Sequence, residues 1–309
     1  MNTFSIAIHG GAGTLVKGMM TTDLEKQYKA ALKEALDAGY SVLENGGTSV
    51  DAVEKAVIVL EDSHLFNAGK GSVFTADETH EMDASIMNGK DLNAGAVSLI
   101  SGIKNPISLA YQVMEKSEHV FLAGKGAMQF AEMNNFAIEP VSYFYDDFRH
   151  KQWLEIKDTD SFQLDHTKKK DSKFGTVGAV ACDTNGNIAA ATSTGGMTNK
   201  RFGRIGDSPV IGAGNYADNK TCAISCTGSG EFFIRGVVAY DVACLIEHKG
   251  LSLSEAANEV IHKRILEIGG DGGLIAVDAK GNIAMPFNTE GMYRATKSSN
   301  GKEEIAIYK

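Results

Sequence analysis

The stretch Gly175-Thr176-Val177-Gly178-Ala179-Val180-Ala181-Cys182-Asp183-Thr184-Asn185-Gly186-Asn187-Ile188-Ala189-Ala190-Ala191-Thr192-Ser193-Thr194 governs the reading of the whole chain. Two runs of small and β-branched residues flank Asn185-Gly186, and Asn-Gly between such runs is the strongest short-range sign of a β-hairpin. With Asn185-Gly186 as a two-residue loop, Thr176 pairs near Gly195, and Thr194 lies within about one residue of Thr176 across the ladder. Ile275-Ala276-Val277-Asp278-Ala279-Lys280-Gly281-Asn282-Ile283-Ala284 repeats the pattern of Val180 to Ala189. Two copies mark repeated hairpin chemistry, not a solenoid. Upstream, His150 to Phe174 is polar and charged, with a linker's composition, yet it feeds directly into a buried strand.

The 309 residues are 43% hydrophobic, enough for a sizeable core. Glycine is abundant at 34 residues and proline scarce at 4, which points to tight turns and backbone close to a ligand. The net charge is −9, and no basic stripe offers a nucleic-acid surface. The Lys168-Lys169-Lys170 run reads as a solvated loop. Cys182, Cys222, Cys226 and Cys244 have neither disulfide nor zinc spacing, so a reducing cytoplasm is the expected compartment. The N-terminal residues do not form a signal peptide, and no apolar run is long enough to span a membrane.

Phe4 to Ile8 alternates as a strand and runs into His9-Gly10-Gly11-Ala12-Gly13, where His9 reads either as catalytic or, as strand-end histidines more often are, as structural. Thr22-x-x-Glu25 and Thr48-x-x-Asp51 open two helices, the first stopped by Gly46-Gly47. Leu60 to Gly71 is too apolar and glycine-rich for a mere connector. Met82–Met87 and Gly95–Ser98 are predicted strands, and Asn105-Pro106 starts a helix through Met114. Aromatic residues from Phe136 to Phe148 are expected at the edge of the core. Phe232 to His248 reads as one long helix, with Phe233, Val237, Tyr240, Ala243 and Leu245 inward and Gly250 at its end. Ser252-x-x-Glu255 opens another helix through Leu266.

Four pieces after Thr176 could carry chemistry: Thr192-Ser193-Thr194-Gly195-Gly196, Gly203-Arg204-Ile205-Gly206-Asp207-Ser208-Pro209, Gly212-Ala213-Gly214-Asn215-Tyr216-Ala217-Asp218, and Cys226-Thr227-Gly228-Ser229-Gly230-Glu231. Hydroxyls and glycines dominate, and no histidine lies between Thr176 and Arg235. A threonine hydroxyl needs a base. If the chain is cut before Thr176, the freed α-amine sits on the same residue, and its reference pKa of about 7.7–8.0 leaves a good fraction neutral near pH 7. Arg204 and Asp207 read either as an i, i+3 surface pair or as a reader of a zwitterion, the guanidinium for a carboxylate and the carboxylate for an amine. The surrounding Gly203, Gly206 and Pro209 favour the second reading.

These motifs, in this order and spacing, together with His9-Gly10-Gly11-Ala12-Gly13 and Phe66-Asn67-Ala68-Gly69, resemble the plant-type asparaginase/isoaspartyl peptidase family of N-terminal-nucleophile hydrolases over essentially the whole chain. The resemblance implies an α+β fold, a four-layer αββα sandwich. It implies one domain, residues 1–309, that cleaves itself between Gly175 and Thr176 into subunits 1–175 and 176–309, with 150–175 as a mobile linker. Thr176 would be the nucleophile, oriented by Thr194 and Asn67. Thr227 and Gly228 would form the oxyanion hole. Arg204 would hold the substrate carboxylate, with Asp207 and Gly230 on its ammonium. Backbone carbonyls of Leu60, Glu61, Ser63, Phe66, Ala68 and Lys70 would ligate a structural Na⁺, with no organic cofactor. The family assembles as a dimer of αβ units and hydrolyses β-aspartyl dipeptides and L-asparagine, releasing aspartate. Glycosylasparaginases, threonine aspartases and a non-catalytic acidic amino-acid binder are the rival readings. The first usually carry a secretory signal and disulfides, the second long insertions, and a binder has no use for the Gly175-Thr176 junction.

Overall fold

The computed structural model describes residues 3–158 and 175–309. Among them, β1 (Ser5–Gly13) leads into α1 (Thr22–Glu44) and α2 (Ser49–Glu61). Next come β2 (Met82–Asn88), β3 (Ala94–Ile100), α3 (Pro106–Lys116), β4 (Phe121–Ala123), α4 (Gly124–Met133), α5 (Val141–Phe144) and α6 (Asp147–Ile156). The expected linker is therefore helical over 150–156, while 159–174, with its lysine run, lies outside the described residues. After Thr176 follow β5 (Val177–Cys182), β6 (Ile188–Thr194), β7 (Asn215–Ala217), β8 (Ala223–Gly228), α7 (Gly230–Gly236), α8 (Val238–Lys249) and α9 (Leu253–Glu259). β9 (Gly272–Val277), β10 (Ile283–Ala284), β11 (Gly291–Ser298) and β12 (Glu303–Tyr308) complete the fold. It is an α+β arrangement.

The strands form a sheet ordered β12-β11-β1-β5-β6-β2-β3-β4, antiparallel except for β3–β4, and a smaller antiparallel one ordered β10-β9-β8-β7. Alternation along each strand separates the two faces of the larger sheet. Ile6, Ile8, Ala179, Ala181, Ala189 and Ala191 pack with residues of α1, α2 and α3. Ala7, Val180, Cys182, Ile188 and Ala190 pack instead with Ala217, Ala223, Ile275 and Val277 of the smaller sheet. The smaller sheet's outer side, through Cys222, Ile224, Cys226, Leu274 and Ala276, meets Val242, Leu245, Ala256 and Ile261 of the second helical group. Both faces of β5 and β6 are thus covered, which is why β5 and the first half of β6 are small and apolar rather than alternating, and why the hydroxyls of Thr192, Ser193 and Thr194 are buried.

The central hairpin has the predicted strands but a three-residue loop. Cys182 pairs with Ile188 and Val177 with Ser193. Asp183 accepts the amides of Asn185 and Asn187 through one carboxylate oxygen, and Gly186 takes the left-handed conformation at φ 80°. Asp278 holds Lys280 and Asn282 in the same way, with Gly281 at φ 79°, so the repeat is one turn chemistry used twice. The register places Thr176 opposite Thr194, one step beyond the Val177–Ser193 pair.

Two helix expectations need correction. The cap of α1 is Thr21, whose hydroxyl accepts the Leu24 amide, one residue before the predicted Thr22. The long helix predicted from Phe232 is broken: Val237 adopts φ 47°, and α8 restarts after it. That break turns Val237 and Tyr240 outward, while Phe233, Ala243 and Leu245 stay buried. Thr48, Pro106 and the Ser252/Glu255 capping box stand where predicted. Among the described residues, no helix is long and apolar enough to cross a membrane, and all four cysteines are free.

Candidate active site

Thr176 directly precedes β5, 8% exposed, with its hydroxyl 3.3 Å from that of Ser208. Three chain-distant segments converge on it. From β8, the fully buried Thr227 brings its hydroxyl to 3.0 Å from the point where a Cβ on Gly175 would lie. The same hydroxyl accepts the Ala12 amide at 3.3 Å. From β1, Gly11 lies so close that a Cβ on it would stand 2.6 Å from the Gly175 nitrogen. Gly11 has φ 110°, at a bulge that shifts the β1–β11 register between His9 and Gly11. Only glycine meets both demands, so Gly11 presses its backbone against Gly175, directly before Thr176.

The third segment follows β6. Thr194 is buried opposite Thr176, and its hydroxyl accepts the Gly196 amide at 3.0 Å. Asn67 clamps this turn rather than touching Thr176. Its carbonyl accepts the Gly195 amide at 3.0 Å, its side-chain amide donates to Gly196 O at 2.7 Å, and its Oδ1 accepts the Val73 amide at 3.1 Å. On the other side of Thr194, the Ser193 hydroxyl donates to the Glu61 carboxylate at 2.6 Å, and Glu61 also accepts the Ile107 amide at 3.0 Å. Full burial pushes the Glu61 carboxyl up to about 8. The 60–70 loop thus holds β6 on both sides of Thr194.

Arg204, Asp207 and Gly230 come together as expected. A Cβ on Gly230 would lie 2.8 Å from Asp207 Oδ1 and 3.0 Å from an Arg204 guanidinium nitrogen. Arg204 and Asp207 are not an ion pair with each other, however. The guanidinium makes a two-pronged contact with Glu231, Nε to Oε1 at 2.8 Å and Nη2 to Oε2 at 2.9 Å. Asp207 is buried, with Oδ2 unpartnered, and burial outweighs the nearby Arg204 to push its carboxyl up to about 7. An unpartnered buried carboxyl beside a guanidinium is poised for a cation and an anion held side by side.

In the 60–70 loop, backbone oxygens crowd the glycine positions. A Cβ on Gly69 would lie 2.5 Å from the Glu61 carbonyl oxygen, and one on Gly71 would collide with the carbonyl oxygens of Phe66 and His64. Other carbonyls of the set serve the loop itself, Leu60 O accepting from Ser63 N and Ala68 O from Gly71 N. No cluster of His, Cys, Asp or Glu among the described residues could hold a metal.

Four participants escaped the sequence reading. Ser208 and Glu231 lie inside quoted motifs, but nothing in their spacing points to Thr176 or Arg204. Glu61 was assigned a carbonyl role and not a side-chain one. His9 is fully buried opposite Gly178, with its ring 2.9 Å from the Ser225 hydroxyl, a partner on the other sheet that the sequence does not point to.

A family model described as asparaginase matches residues 2–307. The chain is 48% identical over 307 residues to the isoaspartyl peptidase of Escherichia coli K12, covering 98% of this chain and 96% of that protein. It is 43% identical to the isoaspartyl peptidase/L-asparaginase of Xenopus laevis, covering 98% and 94%. It is 42% identical to the human protein of the same name, covering 99% and 96%. With a hydroxyl-lined junction at Gly175-Thr176 and matches spanning nearly its whole length, the chain belongs to the asparaginase family.

Proposed function

We propose that this protein is a self-processing threonine amidohydrolase that hydrolyses β-aspartyl dipeptides and L-asparagine, releasing L-aspartate. The observation that carries the reading is the convergence of Thr194, Thr227 and the Gly11 backbone on the Gly175-Thr176 bond. In the precursor, Thr176 Oγ attacks the Gly175 carbonyl carbon, and the N–O acyl shift and hydrolysis leave chains 1–175 and 176–309. The new α-amine then takes the proton of the hydroxyl on its own residue. Thr176 Oγ attacks the substrate's β-carbonyl, the leaving amine departs with a proton, and water resolves the β-aspartyl ester. Thr227 Oγ and the Gly228 amide stabilise the oxyanion. Thr194 orients Thr176, and Asn67 supports it through the turn at Gly195-Gly196. Asparagine and a β-aspartyl peptide present the same carbonyl beside the same zwitterion, so one site serves both. Incubating purified protein with β-Asp-Leu and with asparagine tests the reading. Release of aspartate from both is expected, and release from neither contradicts it.

Arg204 would grip the α-carboxylate, exchanging part of its contact with Glu231, while Asp207 and the Gly230 backbone meet the ammonium. Arg204→Ala removes charge-assisted bonds of about 1.5–3 kcal/mol, so KM for β-Asp-Leu is expected to rise roughly 10- to 100-fold, with a smaller change in kcat. Unchanged KM would argue against a carboxylate grip.

The packing order of helices, sheet, sheet and helices supports a four-layer αββα sandwich of the N-terminal-nucleophile type. Carbonyls of Leu60, Glu61, Ser63, Phe66, Ala68 and Lys70 would hold a Na⁺, whose part is to stiffen the loop that clamps Thr194. Dialysis into Na⁺-free buffer is expected to lower the melting temperature by a few degrees. An unchanged melting curve would count against the ion. A dimer of αβ units in the cytoplasm completes the proposal.

A further inference from the structure

We propose that Glu61 is a positioning residue for the threonine pair: its side chain pins Ser193 from the helix side of β6 and so sets Thr194 against Thr176. The proposal rests on the reading of Thr176 as the nucleophile that Thr194 orients.

Alternation along β6 decides which side of the sheet each residue serves. Ala189 and Ala191 pack among the helices, while Ile188 and Ala190 pack against the smaller sheet. Ser193 continues the first series, and Thr192 and Thr194 continue the second. Ser193 is therefore a fully buried hydroxyl on an apolar side of the strand, and such a group needs a partner. Glu61, the last residue of α2, supplies it: Ser193 Oγ donates to Oε1 at 2.6 Å. The same oxygen accepts the Ile107 amide at 3.0 Å. Asn105 gives α3 no side-chain cap, and Pro106 at its first position has no N–H, so Ile107 carries the first amide hydrogen within that helix. One carboxyl oxygen thus joins α2, α3 and β6 behind the site.

Ser193 stands beside the reacting residues in the sheet. It pairs with Val177, the residue after Thr176, on one side and with Ala84 on the other. Thr194, one position on, lies between Thr176 and Asp83. Its hydroxyl accepts the Gly196 amide, and Asn67 fixes that turn from beyond the end of β6. The end of the strand is thereby held at two points, the turn after Thr194 and the serine before it. Releasing the second lets Thr194 drift from Thr176, and misplacement of about 1 Å at such a pair costs rate. Arg204, Asp207 and Gly230, which read the substrate, lie on other segments, so the loss falls on kcat rather than on KM. Glu61 touches no substrate; it acts through Ser193.

Ser193→Ala deletes the donor of the bond and leaves Glu61 on the Ile107 amide. It is expected to lower kcat for β-Asp-Leu about 10- to 30-fold, with KM within about threefold of the parent, and to slow self-cleavage by a similar factor. Glu61→Met keeps the length and deletes the acceptor, and should fall at least as far. Glu61→Gln keeps an acceptor oxygen and should stay within about threefold of the parent. In the double variant Ser193→Ala/Glu61→Met, kcat should match that of Glu61→Met alone, because the two residues act through one bond. Parent kcat in Ser193→Ala, with or without a lower melting temperature, overturns the proposal. So does a double variant whose loss is the product of the two single losses, or a Glu61→Gln as slow as Glu61→Met. If the Glu61 variants do not fold, Ser193→Ala decides: a lowered kcat at parent KM supports the role, and a raised KM at parent kcat overturns it. Retained activity in Thr176→Ala sinks the underlying nucleophile reading, whereas an inactive Thr176→Ala beside a fully active Ser193→Ala sinks the Glu61 role alone.

Discussion

Thr176→Ala is expected to accumulate as one uncut chain of 32.9 kDa with activity on β-Asp-Leu reduced by on the order of 10⁴-fold or more. The reason is geometric. The Ser208 hydroxyl, 3.3 Å from that of Thr176, belongs to a different residue and has no α-amine beside it, so it cannot take over the base-assisted attack. The fold should persist, since the lost hydroxyl has one weak partner and the methyl leaves little space. Circular dichroism like that of the parent, with a single band on a denaturing gel, is the expected pair of results. Normal cleavage in this variant would remove Thr176 from its role.

Thr227→Val should lower kcat for asparagine and β-Asp-Leu by about 10²–10³, equivalent to about 3–4 kcal/mol, with little change in KM. Valine keeps the shape and deletes only the hydroxyl. That hydroxyl stands 3.0 Å from the position of a Gly175 Cβ, close to where the carbonyl under attack must sit in both self-cleavage and turnover. Slower self-cleavage should accompany slower turnover, because both pass through an oxyanion at the same place. A kcat within about threefold of the parent value would show that the oxyanion is held elsewhere. The Ala12 amide loses its acceptor in the variant, so a modest fall in melting temperature is also expected.

Local chemistry made much of this legible in the sequence. The Asp-x-x-Gly turns after Cys182 and Val277 carry their own hydrogen-bond pattern, so both hairpins could be read from short windows. The register that brings Thr194 opposite Thr176 followed from the turn to within a single position, and the extra loop residue accounts for the remainder. The capping residues Thr48 and Ser252 were equally local. The break at Val237 was not, because the lone Gly236 before it is tolerated inside many helical patterns and a valine at φ 47° carries no local sign. Tertiary packing overrode propensity there.

The site was legible in residue type and less so in partnership. Arg204 and Asp207 suggested each other because they are near in sequence, but Arg204 pairs with Glu231, 27 positions away. Asn67 was placed with the nucleophile, and its bonds go to the turn after Thr194. His9 and Ser225 lie 216 positions apart, and only the stacking of the two sheets joins them. Gly178 shows the same limit from the other side. It sits in the opening motif, and its reason is a clash with Ser225 from a strand of the other sheet.

The most direct test is the intact mass and N-terminal sequence of active protein purified from cells. The account predicts two chains sharing the 32.9 kDa in proportion to their lengths, about 19 and about 14 kDa, the smaller one beginning at Thr176. A single unbroken chain of 32.9 kDa with full hydrolytic activity would contradict it.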